Sequence, residues 1–257
     1  MAYWASTSRA ININPRPGGV KPVSPVVAYH VCYNPGEAEA ELLCLDQRFI
    51  VRNSFVPSGL FSVERLPDRQ RWDHRYATLE PGRRTEPVPF LVTCLRQLPA
   101  RGYALDVAAG AGRNSVALAE HGLSVDAVDL AWRGLQRAVA LARQRGVRIN
   151  PIVLDLSRGW LPRRRYDVVV NTFFLLRDLI PAIKAALKPG GWLVFETFTR
   201  AQLDISKQWA RDQSYLLKSD ELRQLFSDFV ILHYWEGVEE NRATARLLAR
   251  KPGPEEA

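Results

Sequence analysis

Two glycines open the part of the sequence that is best suited to binding a nucleoside. The stretch LDVAAGAGRNS, Leu105 to Ser115, is an apolar run followed by Gly110 and Gly112. Because glycine has no Cβ, such a segment can turn sharply and bring its backbone close to a ligand. Plain tight turns use the same pair, so the glycines alone do not decide between a turn and a ligand site.

Polar side chains close the apolar runs that follow. Asp129 ends LSVDAVDL, at a position where a carboxylate can accept hydrogen bonds from the 2′ and 3′ hydroxyls of a ribose. Asp155 ends VLDL, where it could accept from an adenine amino group, and Asn171 ends VVVNTF. Asp106 lies in the first run itself. A turn or a helix cap explains any one of these residues, but the set favours a nucleoside site.

A parallel sheet is needed to bring these residues together. Strand-like runs alternate with helical ones: YALDVAA, NSVALAEHG, LSVDAVDL, WRGLQRAVALARQRG, INPIVLDL, YDVVVNTF, DLIPAIKAALKPGG and WLVFETF. This βαβ alternation with short loops predicts a parallel sheet covered by helices on both faces, with its ligand at the carboxyl ends of the strands.

Further elements are predicted on either side of this alternation. RQRWDHRYATL and EPVPFLVTCLRQL are typical of helices, and SDELRQLFSDF of a helix that begins with a Ser-Asp cap. VILHYWEG and ATARLLARK predict two strands joined by VEENR in a hairpin.

Residues 1 to 66 differ from the rest. NINPRPGGVKPVSP, Asn12 to Pro25, is too rich in Pro and Gly for a helix or a central strand. Short apolar runs follow it, VVAYHVCY and RFIVRNSFV. A small strand-rich appendage, a flexible leader and translated upstream sequence all remain open, so we predict an N-terminal extension over 1–66 and the main domain over 67–257.

Composition narrows the function classes. The 257 residues are 47% hydrophobic and 24% charged, as in ordinary globular proteins, and no run is apolar enough to span a membrane. The net charge of +8 comes mainly from arginines scattered near acids, which disfavours nucleic acid as a partner. The tight basic clusters are Arg163 to Arg165 and the pair Arg83, Arg84.

Cysteine and histidine spacing predicts neither a disulfide framework nor a metal site. The three cysteines lie far apart without a Cys-x-x-Cys pattern, and the four histidines are isolated. We therefore expect a reducing, cytoplasmic location and no bound metal. The cysteines are Cys32, Cys44 and Cys94.

Two nucleoside cofactors compete for the glycine loop. A dinucleotide favours Gly-x-Gly-x-x-Gly, because the helix must come close to a pyrophosphate, but the third position here is Ser115. The chain also lacks room for a separate substrate domain after Asp129. S-adenosylmethionine has no phosphate and needs close backbone approach with acids for its ribose, so it is the predicted cofactor.

The segment LDVAAGAGRNSVALAEHGLSVDAVD resembles the first motifs of the class I S-adenosylmethionine-dependent methyltransferases. Its GRNS followed by a helix is similar to the tellurite-resistance-type, small-molecule branch. WDHRY, LKPGGWLVFETF and the end of the chain agree, so the resemblance covers about residues 69–252. It departs at Ala109, where relatives often have Gly or Cys, and RAQLDISKQWARDQ carries no family signature.

The resemblance implies a fold and a cofactor site. The fold would be an α/β, Rossmann-like three-layer αβα sandwich with a seven-stranded, mostly parallel sheet whose last strand is antiparallel. Glycines would line the methionine portion, Asp129 would bind the ribose, Asp155 and Leu156 would flank the adenine, and Asn171 would lie near the sulfonium. The WDxRY helix would cover the cofactor, with Arg75 pairing its carboxylate or forming a surface salt bridge. The full predicted set is Asp106, Ala108, Gly110, Ala111, Gly112, Asp129, Leu130, Asp155, Leu156, Asn171, Trp72, Arg75 and Tyr76.

Methyl transfer from a sulfonium is an in-line displacement, so the protein mainly aligns the reactants and excludes water. A general base is needed only where the nucleophile loses a proton. Glu196 in FETF is the best-placed carboxylate, although it could equally face solvent or Arg200 at the strand end. Arg113, Phe173 and Phe174, with Phe198, are the candidate acceptor-binding residues.

The acceptor is predicted to be a small molecule such as a thiol or a metalloid oxyanion. Amino-methylating DNA enzymes carry Asn/Asp-Pro-Pro-Tyr/Phe after the fourth strand, and this chain has NTFF without the prolines. A methyltransferase acting on RNA, DNA or protein, and a non-catalytic binding module with this fold, are the alternatives. Asp129→Ala is expected to weaken cofactor binding and leave the fold intact.

Overall fold

The computed structural model describes residues 29–32, 41–44, 50–51, 66–78, 80, 85–207 and 212–253. The Pro- and Gly-rich stretch at 12–25, the pair Arg83 and Arg84, and part of the segment RAQLDISKQWARDQ lie outside these residues.

A single mixed sheet forms the centre of the fold. Its seven main strands run in the order β6-β5-β4-β7-β8-β10-β9. Neighbouring strands from β6 to β8 pair in parallel, whereas β10 pairs antiparallel with both β8 and β9. The predicted seven-stranded sheet with an antiparallel last strand is confirmed. The strands are β4 (Tyr103–Val107), β5 (Ser124–Asp129), β6 (Asn150–Val153), β7 (Tyr166–Thr172), β8 (Leu187–Phe198), β9 (Val230–Glu239) and β10 (Arg242–Arg250).

Three short strands lengthen this sheet beyond β6 to ten strands. They are β1 (Tyr29–Cys32), β2 (Glu41–Cys44) and β3 (Ile50–Val51), in the order β3-β2-β1. β1 pairs antiparallel with β6, Tyr29 opposite Val153 and His30 opposite Ile152. Part of the first 66 residues therefore belongs to the sheet, while the domain boundary at residue 66 stays a prediction.

Helices cover both faces of the sheet. On one face Leu91, Leu118 and Leu135 of α2, α3 and α4 pack in apolar clusters that include strand residues. On the other face Ile183 and Leu222 of α5 and α7 join the largest cluster. The helices are α1 (Leu66–Ala77), α2 (Pro89–Leu95), α3 (Arg113–Glu120), α4 (Trp132–Gln144), α5 (Ile180–Ala186), α6 (Gln202–Ile205) and α7 (Glu221–Leu225). The predicted three-layer sandwich is confirmed, and within the described residues no helix is long and apolar enough to cross a membrane.

Three local details differ from the predictions. The helix expected over DLIPAIKAALKPGG ends at Ala186, because the chain from Leu187 already belongs to β8. Asp220 precedes α7 with a φ of 57°, and its side chain makes no capping hydrogen bond. The hairpin turn is only Glu240 and Asn241, both at positive φ as in a two-residue type I′ turn, so the flanking residues of VEENR extend the strands.

Candidate functional site

The glycine loop joins β4 to α3 through left-handed backbone. Ala108, Gly110 and Gly112 have φ values of 54°, 58° and 78°. A Cβ on Gly112 would lie 2.3 Å from the Cβ of Ala138 in α4, so this glycine permits close packing of α3 on α4. Ala108 adopts the same conformation without being a glycine, and strained residues of this kind concentrate at functional sites.

Asp129 ties this loop to the end of β5. The N–H of Gly110 donates to its Oδ2 over 2.8 Å, and the N–H of Ala131 donates to its Oδ1 over 2.8 Å. Burial raises the pKa of Asp129 to about 6, against the lowering effect of these hydrogen bonds. Each carboxylate oxygen has a second lone pair, so the group can also accept from ribose hydroxyls.

Asp106 lies beneath the loop and holds α3 in place. It is 1% exposed, and its Oδ2 accepts a hydrogen bond from the Ser115 hydroxyl over 2.6 Å. Burial raises the pKa of Asp106 to about 7, although Ser115 and Arg113 both act to lower it. A direct contact between Asp106 and a cofactor stays a prediction.

The GRNS motif is mainly a structural brace. Asn114 accepts from the N–H of Val88 over 3.0 Å and donates to the Thr172 hydroxyl over 2.8 Å. With the Ser115–Asp106 bond, α3 is thereby joined to β4, to β7 and to the chain that enters α2. Arg113 differs from its neighbours, because its guanidinium lies over the Phe173 ring, 5.6 Å from the centroid.

Asp155 follows β6 beside the end of β5. The N–H of Leu154 donates to the Asp129 carbonyl over 3.0 Å, which places the two strand ends next to each other. Oδ1 of Asp155 accepts from the N–H and hydroxyl of Ser157, so it caps a short 3₁₀ helix. Leu156 is buried in the core. The capping role is therefore present, and the adenine contact of Asp155 and Leu156 stays a prediction.

The WDHRY segment lies in α1 and packs on the glycine loop. The Tyr76 hydroxyl is 2.3 Å from where a Cβ on Gly110 would lie, and the Tyr76 ring is 3.1 Å from where a Cβ on Gly134 would lie. Trp72 stacks on Tyr76 with centroids 6.2 Å apart. The Arg75 guanidinium lies over Trp72, 5.1 Å from the ring, and its predicted pairing with a carboxylate stays a prediction.

Asn171 places a buried side-chain oxygen at the end of β7. It is 1% exposed and stands opposite Val107, at the level where the glycine loop begins. Its Nδ2 donates to the Phe174 carbonyl over 2.7 Å, while its Oδ1 has no hydrogen-bond partner among the described residues. A buried acceptor without a partner is costly, so this oxygen favours a ligand at the end of β7.

The two phenylalanines after β7 do not lie together. Phe173 has a φ of 55° and donates its N–H to the Glu196 carbonyl over 2.7 Å. The centroid of its ring lies 5.1 Å from that of Phe198. Phe174 packs instead against the core on the other face of the sheet. The structure therefore brings Arg113, Phe173 and Phe198 together and separates Phe174 from them.

Glu196 is buried and paired with Arg246. It is 3% exposed, its Oε1 accepts from Arg246 Nε over 3.2 Å, and its Oε2 has no partner among the described residues. Burial raises the pKa of Glu196, while Arg246 opposes that shift. Arg246 also pairs with Glu239 over 2.7 Å and lies 4.4 Å from the Trp235 ring. The partner of Glu196 is thus Arg246 and not Arg200, and a role as base stays a prediction.

Several residues of the site were not predicted from the sequence. Gly134 gave a weak signal, since a glycine inside a helical pattern often marks close packing. Thr172 and Arg246 gave none, because their hydrogen bonds to Asn114 and Glu196 join segments that are far apart in the chain.

Leu130 and Ala111 belong to the predicted cofactor-binding set. They follow Asp129 and Gly110 directly and lie half-buried in the same loops, and their contact with the cofactor stays a prediction.

Comparison with known proteins agrees with this geometry. Residues 104–191, from β4 to the start of β8, match the methyltransferase domain family. The structure superimposes on an S-adenosylmethionine-dependent methyltransferase from Methanosarcina mazei with a TM-score of 0.54 and 20% identity, covering 65% of this chain and 99% of that one. This chain has the class I methyltransferase fold. The resemblance read from the motifs is thereby confirmed, and these matches support S-adenosylmethionine as the cofactor.

The methyltransferase fold is shared with TehB from Haemophilus influenzae, with a TM-score of 0.53 and 16% identity over 88% of this chain and 85% of that one. Among curated relatives, the chain is 27% identical to hemagglutinin 1 of Eikenella corrodens over 58% of its length and 54% of the relative. It is 32% identical to the ubiquinone biosynthesis O-methyltransferase of Coxiella burnetii over 41% of its length and 47% of the relative. The matches thus span about half of these relatives.

Proposed function

We propose that this protein is an S-adenosylmethionine-dependent methyltransferase that acts on a small molecule by in-line displacement. The observation that carries the proposal is the hydrogen bond from Gly110 to Asp129, which joins the glycine loop to a buried acid at the end of the next strand. Within a methyltransferase fold, this pair forms a surface suited to a ribose and an amino acid without a phosphate. The similarity of GRNS to the small-molecule branch and the likeness to a ubiquinone biosynthesis O-methyltransferase support a small-molecule acceptor, and we place the protein in the cytoplasm.

The cofactor would be held by groups from four strand ends. Asp129 would accept from the ribose, Asp155 and Leu156 would flank the adenine, and Asn171 Oδ1 would meet the methionine end. Ala108, Gly110, Ala111, Gly112 and Leu130 would supply backbone contacts, with Trp72, Arg75 and Tyr76 above them. When bound, the cofactor supplies a methyl group on a positively charged sulfur, which leaves readily.

The acceptor would enter between Arg113, Phe173 and Phe198. These residues lie beside the end of β7, on the face that also carries Glu196. Two aromatic rings suit an apolar body, and the Arg113 guanidinium suits an acidic substituent. Their part in the reaction is to align the acceptor and to exclude water.

Glu196 would take the proton of an acceptor that has one to lose. Burial raises its pKa, which makes the carboxylate a better base near neutral pH. Oε2 is buried and has no hydrogen-bond partner among the described residues, so an acceptor reaches it only if the side chains around it move. A thiol, hydroxyl or amine fits this requirement better than a metalloid oxyanion, which the carboxylate would repel.

Two measurements test the proposal. Isothermal titration calorimetry with S-adenosylmethionine and its demethylated product should show binding. Absence of heat with both ligands would exclude the proposed methyltransferase activity. A methyl-transfer assay on thiols, phenols, small amines and tellurite then identifies the acceptor class, with Glu196→Gln slowing only acceptors that lose a proton. Salt-dependent binding of RNA or DNA would instead favour a macromolecular acceptor.

A further inference from the structure

The N-terminus of α4 is capped by a residue from another helix. Ala131, which precedes α4, has no side chain able to cap, and the helix has no cap of its own. The N–H of Arg133 donates instead to Oδ1 of Asp73 in α1 over 2.9 Å. This amide, the second of the helix, is one that a capping side chain ordinarily binds. Asp73 therefore performs the role of the missing cap.

The charge of Asp73 suits this position. A helix N-terminus favours a carboxylate, and the bond joins two segments that are far apart in the sequence. Oδ2 of Asp73 lies 3.7 Å from Nε of Arg69, one turn earlier in α1. Both oxygens are thus engaged, and α1 is fixed at a defined point on α4.

The same contact places Tyr76 over the glycine loop. Tyr76 follows Asp73 by three residues, so the two lie on one side of α1. Its ring enters a notch between two glycines, because a Cβ on Gly110 or on Gly134 would lie 2.3 Å or 3.1 Å from Tyr76 atoms. The notch accepts Tyr76 only while α1 stays docked, so Asp73 and the two glycines act on the same contact.

Asp73 also lies beside Asp129. The two carboxylates accept from Arg133 and Ala131, amides two residues apart at the start of α4. Burial is the main reason that the pKa of Asp129 is raised, and the negative charge of Asp73 adds to it. Asp106 of β4 also interacts electrostatically with Asp129, and the positive charge of Arg113 offsets the charge of Asp106.

We propose that Asp73 is a positioning residue of the cofactor site, which docks α1 on α4 and thereby holds Tyr76 over Gly110 beside Asp129. This inference rests on the proposed function, because it takes the surface between Gly110 and Asp129 as the S-adenosylmethionine site.

Cofactor titrations of the full chain test the docking. At pH 8, Asp73→Ala should weaken S-adenosylmethionine binding by about tenfold, because loss of a cap favours the undocked position of α1 and so lowers the population of the binding-competent state. Asp73→Asn keeps an oxygen for the Arg133 N–H and should stay close to the wild-type affinity. Asp68→Ala is the matched control, since Asp68 lies on the same helix and, among the described residues, forms its ion pair within that helix, with Arg71 at 3.1 Å.

The pH profile separates positioning from a merely structural role. Wild-type affinity should fall as the pH drops below about 6, where Asp129 becomes protonated. In Asp73→Asn the fall should move to lower pH, because one neighbouring negative charge is gone, while Asp68→Asn should leave it in place. Hydrogen exchange of residues 66–77 without cofactor reports docking directly, and Asp73→Ala should lose protection there.

Each outcome has a distinct meaning. Wild-type affinity in Asp73→Ala overturns the proposal, whether or not α1 exchange changes, since docking would then not serve the cofactor. An unshifted pH profile in Asp73→Asn overturns the placement of the Asp73 charge beside Asp129. This measurement tests the proposal if Asp73→Ala does not fold. Wild-type protein that fails to bind S-adenosylmethionine would instead remove the proposed function, and the exchange data would still show whether Asp73 docks α1.

Discussion

The N–H of Gly110 donates to Oδ2 of Asp129 over 2.8 Å, so the loop after β4 and the acid that ends β5 form one unit. The second oxygen of Asp129 accepts from Ala131 over 2.8 Å, and both bonds are buried. A ligand at this surface meets a carboxylate that is already fixed in direction by two backbone amides.

Asp129→Ala should therefore affect folding as well as cofactor binding. Two buried N–H groups would lose their acceptor, at a cost of about 2–4 kcal/mol in the free energy of unfolding. This revises the expectation from the sequence that the fold would be untouched. Urea unfolding measures the cost, and Asp129→Asn, which keeps one acceptor oxygen, should lose less. Equal stability of Asp129→Ala and wild type would contradict the assigned bonds.

Gly112 and Gly146 offer a matched pair of left-handed glycines. Their φ values are 78° and 71°, but a Cβ on Gly112 would meet Ala138 at 2.3 Å, whereas a Cβ on Gly146 would meet nothing within 4 Å. Gly146→Ala should cost about 1–2 kcal/mol, the strain of the backbone alone. Gly112→Ala should cost roughly 3–5 kcal/mol, because α3 and α4 must also separate. Thermal unfolding of both variants checks this, and similar losses would argue against tight α3–α4 packing.

Stability should fall as the pH rises from about 4 to 7. Burial raises the pKa of Asp106 to about 7 and that of Asp129 to about 6, from ordinary values of 3.8. Over that window the folded chain binds more protons than the unfolded chain, so raising the pH favours unfolding. Asp106→Asn, which keeps an oxygen for Ser115, should gain stability at pH 8 relative to wild type and little at pH 4. Urea unfolding at both pH values measures it, and an unchanged pH dependence in this variant would exclude Asp106 as its source.

Arg177 fixes the segment after β8 against the loop after β7. Its Nε and Nη2 bind the two oxygens of Glu221 at 2.6 and 2.9 Å, and its Nη1 and Nη2 donate to the carbonyls of Ser214 and Leu216. Arg177→Met should speed hydrogen exchange and proteolysis at 212–218. Arg177→Lys should restore little, because an ammonium cannot make the paired contact.

Arg223→Met is the control for this segment, since Arg223 is exposed on α7 and lies over Tyr234. S-adenosylmethionine affinity should be the same in all three variants, because the partners of Arg177 (Glu221, Ser214 and Leu216) are not among the proposed cofactor-binding residues. Unchanged exchange at 212–218 in Arg177→Met would show that the segment is held by other contacts.

The mostly parallel sheet and the position of polar side chains at its strand ends could be predicted because both depend on local patterns. Asp129 and Asn171 each end an apolar run, and the carboxyl ends of parallel strands meet at one edge. Asp155 shows the limit of this reasoning, since the structure uses its Oδ1 to cap a short helix. Phe173 and Phe174 look equivalent in NTFF, yet the left-handed φ of Phe173 sends them to opposite faces.

Contacts between distant segments could not be predicted in this way. Asp73 and Arg133 carry no signal for each other, and neither does the pairing of Glu196 with Arg246, which follows from the register of β8 and β10. Side chains that work through such partners become visible only when the elements are packed.

The pairing of β1 with β6 changes where the sheet ends. Without Tyr29 and His30 opposite Val153 and Ile152, β6 would be an outer strand with free amides and carbonyls next to Asp155. Exposed strands of this kind recruit other chains, and folded proteins commonly blunt them with short outer strands. Here the outermost position on that side falls to β3, only two residues long. A chain cut before residue 67 should consequently aggregate through β6, so loss of activity in such a truncation would reflect self-association as much as a missing ligand contact.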